Sequence, residues 1–62
     1  MCEAAAYLLI GDREELVLES IDILEAEEDQ VRLVNMFGEE KRIRARIRSL
    51  SLINHKIILE SL

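Results

Sequence analysis

The one cysteine of this chain is its second residue, Cys2, directly after Met1. A thiolate there, the amide nitrogen of Cys2 and the amine of Met1 can close fused five-membered chelate rings around one soft divalent metal that tends to square-planar geometry. If Met1 is removed, the amine passes to Cys2 and leaves a two-point grip of amine and thiolate. Such a donor set suits nickel(II) and copper; zinc wants a tetrahedral set, and calcium or magnesium want oxygen. Nickel(II) is the preferred ion, with copper and zinc left open. The competing reading is a small buried hydrophobe, because free cysteine packs as one. Its terminal position argues against that, since chain ends are usually exposed and loosely held.

A second constellation is a ladder of arginines. Arg42, Arg44, Arg46 and Arg48 alternate with Ile43, Ala45 and Ile47. On a strand this two-residue period puts all four cations on one face, joined by Lys41 and Arg32, and such a face can follow a phosphate backbone. The same face can equally be a solvated one that pairs with the thirteen acidic residues of the chain. RNA-reading sheets normally add aromatic platforms, and only Tyr7 and Phe37 are available. RNA binding is therefore the alternative reading. The acidic stretches Glu27-Glu28-Asp29 and Glu39-Glu40 read as solvated turns. His55, with no second histidine and no cysteine near it in sequence, is a weak ligand candidate.

These residues must be positioned by a small structure. Sixty-two residues form one domain, residues 1–62, which buries only about 60% of its unfolded surface. No disulfide can form from one cysteine, and neither cysteines nor histidines suffice for a closed zinc site. Half the residues are hydrophobic, nearly all of them aliphatic. That surplus over one small core predicts a homodimer with aliphatic side chains between the copies.

Turn chemistry falls at Gly11-Asp12, Glu27 to Gln30, Gly38-Glu39-Glu40 and Asn54-His55-Lys56, leaving short apolar runs between. Spacing of this kind predicts an all-β antiparallel sandwich or small barrel of about six short strands. The first strand shares Cys2, Ala4, Ala6, Leu8 and Ile10 on one face, with Ala5, Tyr7 and Leu9 on the other, and is largely apolar on both, which predicts burial on both sides. Residues 14–26 fit helical spacing as well, but the hairpin signal at Gly11-Asp12 favours two strand pieces, 16–19 and 21–25. Further strands are expected at 31–37, 41–47, 50–53 and 56–61. The apolar parity changes across Arg48 and Ser49, which requires a bulge, bend or reversal there.

Catalysis has little to stand on, with no triad pattern, no glycine-rich phosphate loop and little room for a pocket. The residues point to a binding protein and not to an enzyme. No stretch approaches the roughly 20 apolar residues of a membrane span, and no secretory signal opens the chain. A free cysteine fits a reducing cytoplasm. The net charge of −5 disfavours general attraction to nucleic acid or anionic membranes.

The opening Met1-Cys2, the segment Val31-Arg32-Leu33-Val34-Asn35-Met36-Phe37 before Gly38-Glu39-Glu40, and the closing hairpin around Asn54-His55 together resemble the CooT family over essentially the whole chain. The resemblance implies a homodimeric SH3-like β domain that binds nickel(II) through Cys2 of each subunit at the dimer interface. It also implies a link to carbon monoxide dehydrogenase maturation, with a metalloenzyme or maturation factor as partner. The family has also carried a predicted RNA-binding label, and the arginine ladder is a departure from its pattern.

Overall fold

The computed structural model describes residues 4–62 and contains seven strands and no helix among them. These are β1 (Ala5–Ile10), β2 (Arg13–Leu18), β3 (Ile21–Ala26), β4 (Val31–Asn35), β5 (Glu40–Ile43), β6 (Ala45–Ser51) and β7 (Lys56–Ser61). One sheet has the order β2-β1-β7-β6 and the other β3-β4-β5. All strand pairs are antiparallel except β1 with β7, which run parallel.

Two-residue alternation builds the core. Along β4, Val31, Leu33 and Asn35 are buried while Arg32 and Val34 are less so. From the other sheet Ala6, Leu18, Ala45, Ile57 and Leu59 meet Val31 and Leu33, with Leu8, Val17, Ile21, Leu24 and Ile43 packed around them. Leu33 and Leu59 have no exposed surface. The outward face of β7 carries Ile58, which stays buried beside its register partner Tyr7 of β1. Of β1 itself only Ala6 is fully buried, so its second face is half-covered and not a second core.

The two-residue turn at Gly11-Asp12 closes β1 on β2 through the pair Ile10 and Arg13. Gly11 has φ of +63°, the left-handed value a II′ hairpin needs at its first central position. Residues 14–26 resolve into β2 and β3 with no helix. The parity change at Arg48 is a bulge, since Ile47 faces Leu59 while Ser49 faces Ile58. After it Leu50 faces Ile57, so Ile47 and Leu50 keep to one side of the sheet.

The expected strand 41–47 needs correction. It is two strands in two sheets, β5 and β6, and Arg44 is the corner between them. Ile43 and Ala45 both point into the core, but from different sheets, so the alternation survives the corner that it cannot reveal. The expected strand 50–53 is likewise the end of β6 followed by a turn over 52–55. The expected strand 31–37 stops at Asn35, and Met36 and Phe37 belong to the next turn.

Each hairpin reverses the chain, so alternate turns gather at opposite ends of the sandwich. One end holds Ala4, the β2–β3 turn (19–20), the β4–β5 turn (36–39) and the β6–β7 turn (52–55). The other holds the β1–β2 turn (11–12), the β3–β4 turn (27–30), the Arg44 corner and Leu62, whose N–H donates to the Arg44 carbonyl at 3.2 Å.

Candidate functional site

The metal-binding residues expected from the sequence, Met1 and Cys2, lie outside the described residues. What is fixed is the point where the chain leaves them. The Ala4 carbonyl accepts the Ile21 N–H at 2.9 Å, and the Ala5 N–H donates to the His55 carbonyl at 2.9 Å. Ala4 is thereby clamped between the start of β3 and the β6–β7 turn. His55 closes that turn with φ of +53°, a left-handed conformation that histidine tolerates better than most residues. Beside it Leu52 is 75% exposed and Ile53 90%. On the other flank the Ser20 carbonyl accepts the Met36 N–H at 2.9 Å, which places the exposed Met36 and Phe37 at the same end. No group of three histidine, cysteine or acidic side chains capable of holding a metal occurs among the described residues.

The arginine ladder is dispersed by the corner at Arg44. Arg42 belongs to the three-stranded sheet, Arg46 and Arg48 to the four-stranded one. Carboxylates then occupy three of the four. Arg46 Nε donates to Glu60 at 2.7 Å and Arg48 Nη1 to the same carboxylate at 3.0 Å. Their hydrogen bonds hold the Glu60 carboxyl below its ordinary value. Arg42 Nε donates to Glu40 at 3.0 Å, and Arg32 bridges Glu40 and Glu25. The hydrogen bond from Arg42, then that from Arg32, lowers the Glu40 carboxyl, and Arg32 is raised in return. Lys41 Nζ donates to the Val17 carbonyl at 3.0 Å, crossing from one sheet to the other. Lys56, bonded to Glu14 and 5.1 Å from the Tyr7 ring centroid, is raised by that carboxylate. Much of the positive charge thus holds strands together.

Two features were not legible in the sequence. Asn35, 4% exposed, is the buried polar residue of the described core. Its Oδ1 accepts the backbone N–H of Phe37 at 3.0 Å and of Glu39 at 2.9 Å, while Nδ2 donates to the Glu39 carboxylate at 2.6 Å. An asparagine three residues before Gly38 is a turn signal that the apolar run before it concealed. The second feature is a cleft of about 320 Å³ between the end of β2 and this turn, lined by Leu16, Val17, Glu19, Phe37, Glu39 and Lys41 among others.

With this geometry in place, comparison with known proteins becomes informative. Residues 1–60 match the family model described as CO dehydrogenase accessory protein CooT. The chain is also similar to a crystal structure of a candidate CooT from Carboxydothermus hydrogenoformans. That match has 46% identity over 98% of each chain and a TM-score of 0.90. No curated protein matches the chain.

Proposed function

Because this chain belongs to the CooT family of CO dehydrogenase accessory proteins, we propose that it carries or stores nickel(II) for maturation of that enzyme. In this reading one ion is held between two copies by their Cys2 thiolates, with backbone nitrogen of Met1 and Cys2 completing the set. The observation that carries the reading is the fixed position of Ala4. Two peptide units separate it from Cys2, so the covalent chain limits the span between their Cα atoms to about 7 Å. The metal is then received at the end of the sandwich where Leu52 and Ile53 are most exposed. A second copy seated on those side chains gives the aliphatic surplus a place to be buried and brings two amino termini together. The role is that of a carrier, store or sensor, and the chemistry belongs to the enzyme that receives the ion.

RNA binding by Arg42, Arg44, Arg46 and Arg48 is not advanced as a second reading. The corner at Arg44 and the carboxylates Glu40 and Glu60 already account for most of that ladder.

The test is a titration of metal-free protein with nickel(II). Thiolate-to-metal charge-transfer absorption should saturate near one ion per dimer, and C2S should abolish it. Affinity should fall as pH is lowered, since thiolate and amine must shed protons to bind. Nickel binding unchanged in C2S would refute the proposal. Native mass spectrometry of the intact protein reports Met1 processing, stoichiometry and bound metal in one measurement.

A further inference from the structure

The cleft between β2 and the β4–β5 turn has the composition of a binding site. Its volume of about 320 Å³ falls within the range of clefts that hold ligands. Leu16, 51% exposed, lines it from β2, Phe37, 77% exposed, lines it from the β4–β5 turn, and Glu19 and Glu39 bring negative charge. The turn that carries Phe37 is well organised. Asn35 fixes the backbone on both sides of Gly38 through the N–H groups of Phe37 and Glu39, which holds the Cα of Phe37 in place beside the cleft. β2 is also the outer strand of its sheet among the described residues, and its end lines the cleft.

Charge selects the occupant. Lys41 is committed to the Val17 carbonyl. Glu39 is held by Asn35 through one oxygen, and Glu19 has no ion-pair partner among the described residues. The three ionised side chains of the cleft sum to −1, in a chain of net charge −5. An aromatic side chain and carboxylates beside an exposed leucine match a basic side chain with apolar neighbours. Arginine fits better than lysine, because a planar guanidinium stacks on the ring while its fork meets the carboxylates. We propose that this cleft binds an extended segment of a protein partner that presents an arginine flanked by aliphatic residues. The guanidinium lies between Phe37 and the carboxylates of Glu19 and Glu39, and an aliphatic neighbour rests on the exposed Leu16. Nucleic acid is the wrong partner for a cleft with two carboxylates.

The experiment titrates the isotope-labelled full-length protein with acetyl-Leu-Arg-Leu-amide, followed by amide chemical shifts. The control peptide carries citrulline, the uncharged isostere of arginine, in the same place. Saturable shifts should be confined to residues 16–20 and 35–41, with the arginine peptide binding about tenfold more tightly, a difference of one decade in Kd. The double variant F37S/E19Q should lose about tenfold in affinity for the arginine peptide, the scale of one cation–π contact with one charge pair. Both residues are exposed, and unchanged shifts at Leu33 and Leu59 verify that the variant is folded. Its nickel stoichiometry should equal that of the unaltered chain, which separates this site from the metal site. Equal binding of the two peptides, absence of saturable shifts in the cleft, or full affinity in F37S/E19Q would each overturn the proposal.

Discussion

The two ends of the sandwich are both built from short connections between strands yet present opposite chemistry. At one end the turns expose Met36 (54%), Phe37 (77%), Leu52 (75%) and Ile53 (90%) around the fixed Ala4. At the other the turns are Gly11-Asp12 and Glu27-Glu28-Asp29-Gln30, where Gln30 Nε2 bonds the Glu27 carboxylate at 2.6 Å. Ile10 and Leu62 are the apolar exceptions there. Polar turns need no explanation beyond solvation and backbone geometry. Apolar turn tips work against solubility, and contiguous exposed apolar surface marks a place where something else binds. The difference is the one expected if a second molecule meets the apolar end and only solvent meets the other.

The strongest way to break this comparison is to make the apolar end polar. Burying one Leu or Ile side chain contributes about 1.5–3 kcal/mol, and a twofold interface uses each patch twice. L52S/I53S should therefore weaken self-association by at least about 100-fold in sedimentation, while each chain stays folded because neither residue is in the core. Charge reversal at the acidic end, E28K/D29K, should leave self-association unchanged. An intact dimer in the first variant, or a dissociated one in the second, would remove the functional meaning of the asymmetry.

Two milder substitutions sharpen the comparison. Asn35→Ala leaves the N–H groups of Phe37 and Glu39 without their acceptor, which should cost about 1–3 kcal/mol in urea denaturation. Gly11→Ala at the acidic end meets no atom within 4 Å. It pays only for a left-handed backbone, about 1 kcal/mol. The expected order is Asn35→Ala worse than Gly11→Ala. The reverse order would mean that the β4–β5 turn is not the more organised of the two.

The same asymmetry explains what could be read from the sequence. The polar turns were legible because Gly11-Asp12 and Glu27 to Gln30 are chemically unlike strands. Leu52, Ile53, Met36 and Phe37 look like strand residues, so their sequence pattern continues the strands at 50–53 and 31–37 through what are turns. The bulge at Arg48 could be inferred because period two makes any insertion visible as a change of parity. The corner at Arg44 could not, because a chain passing between sheets keeps its inward side inward. Cys2 is conspicuous by position, and the family match shows what the chain belongs to without describing its metal. The cleft was hidden because it joins residues 16–20 to 35–41, and its organiser, Asn35, sits in an otherwise apolar run.

The smallest expected effect concerns the charges that hold β6 to β7 toward the acidic end. Glu60 accepts from Arg46 and Arg48, and these bonds place its folded pKa below the ordinary value of 4.5. A carboxyl depressed on folding stabilises the protein above its unfolded pKa, and that contribution is lost as pH falls through the folded value. Lys56 has the opposite sign. Raised above 10.5 by its bond to Glu14, it contributes fully below that value and loses the contribution as pH rises through its folded pKa. Stability should thus be nearly flat between about pH 5 and 10 and decline on the acid side, with a shallower decline in E60Q. The arginine side chains are 71% and 56% exposed, so the effect is small and salt should reduce it further. Amide exchange locates the loss: on acidification, protection should fall first where Ala45 pairs with Ser61 and later where Ser51 pairs with Lys56. Simultaneous opening along the whole β6–β7 ladder would show that these ion pairs do not distinguish one end from the other, and the contrast would then rest on apolar exposure alone.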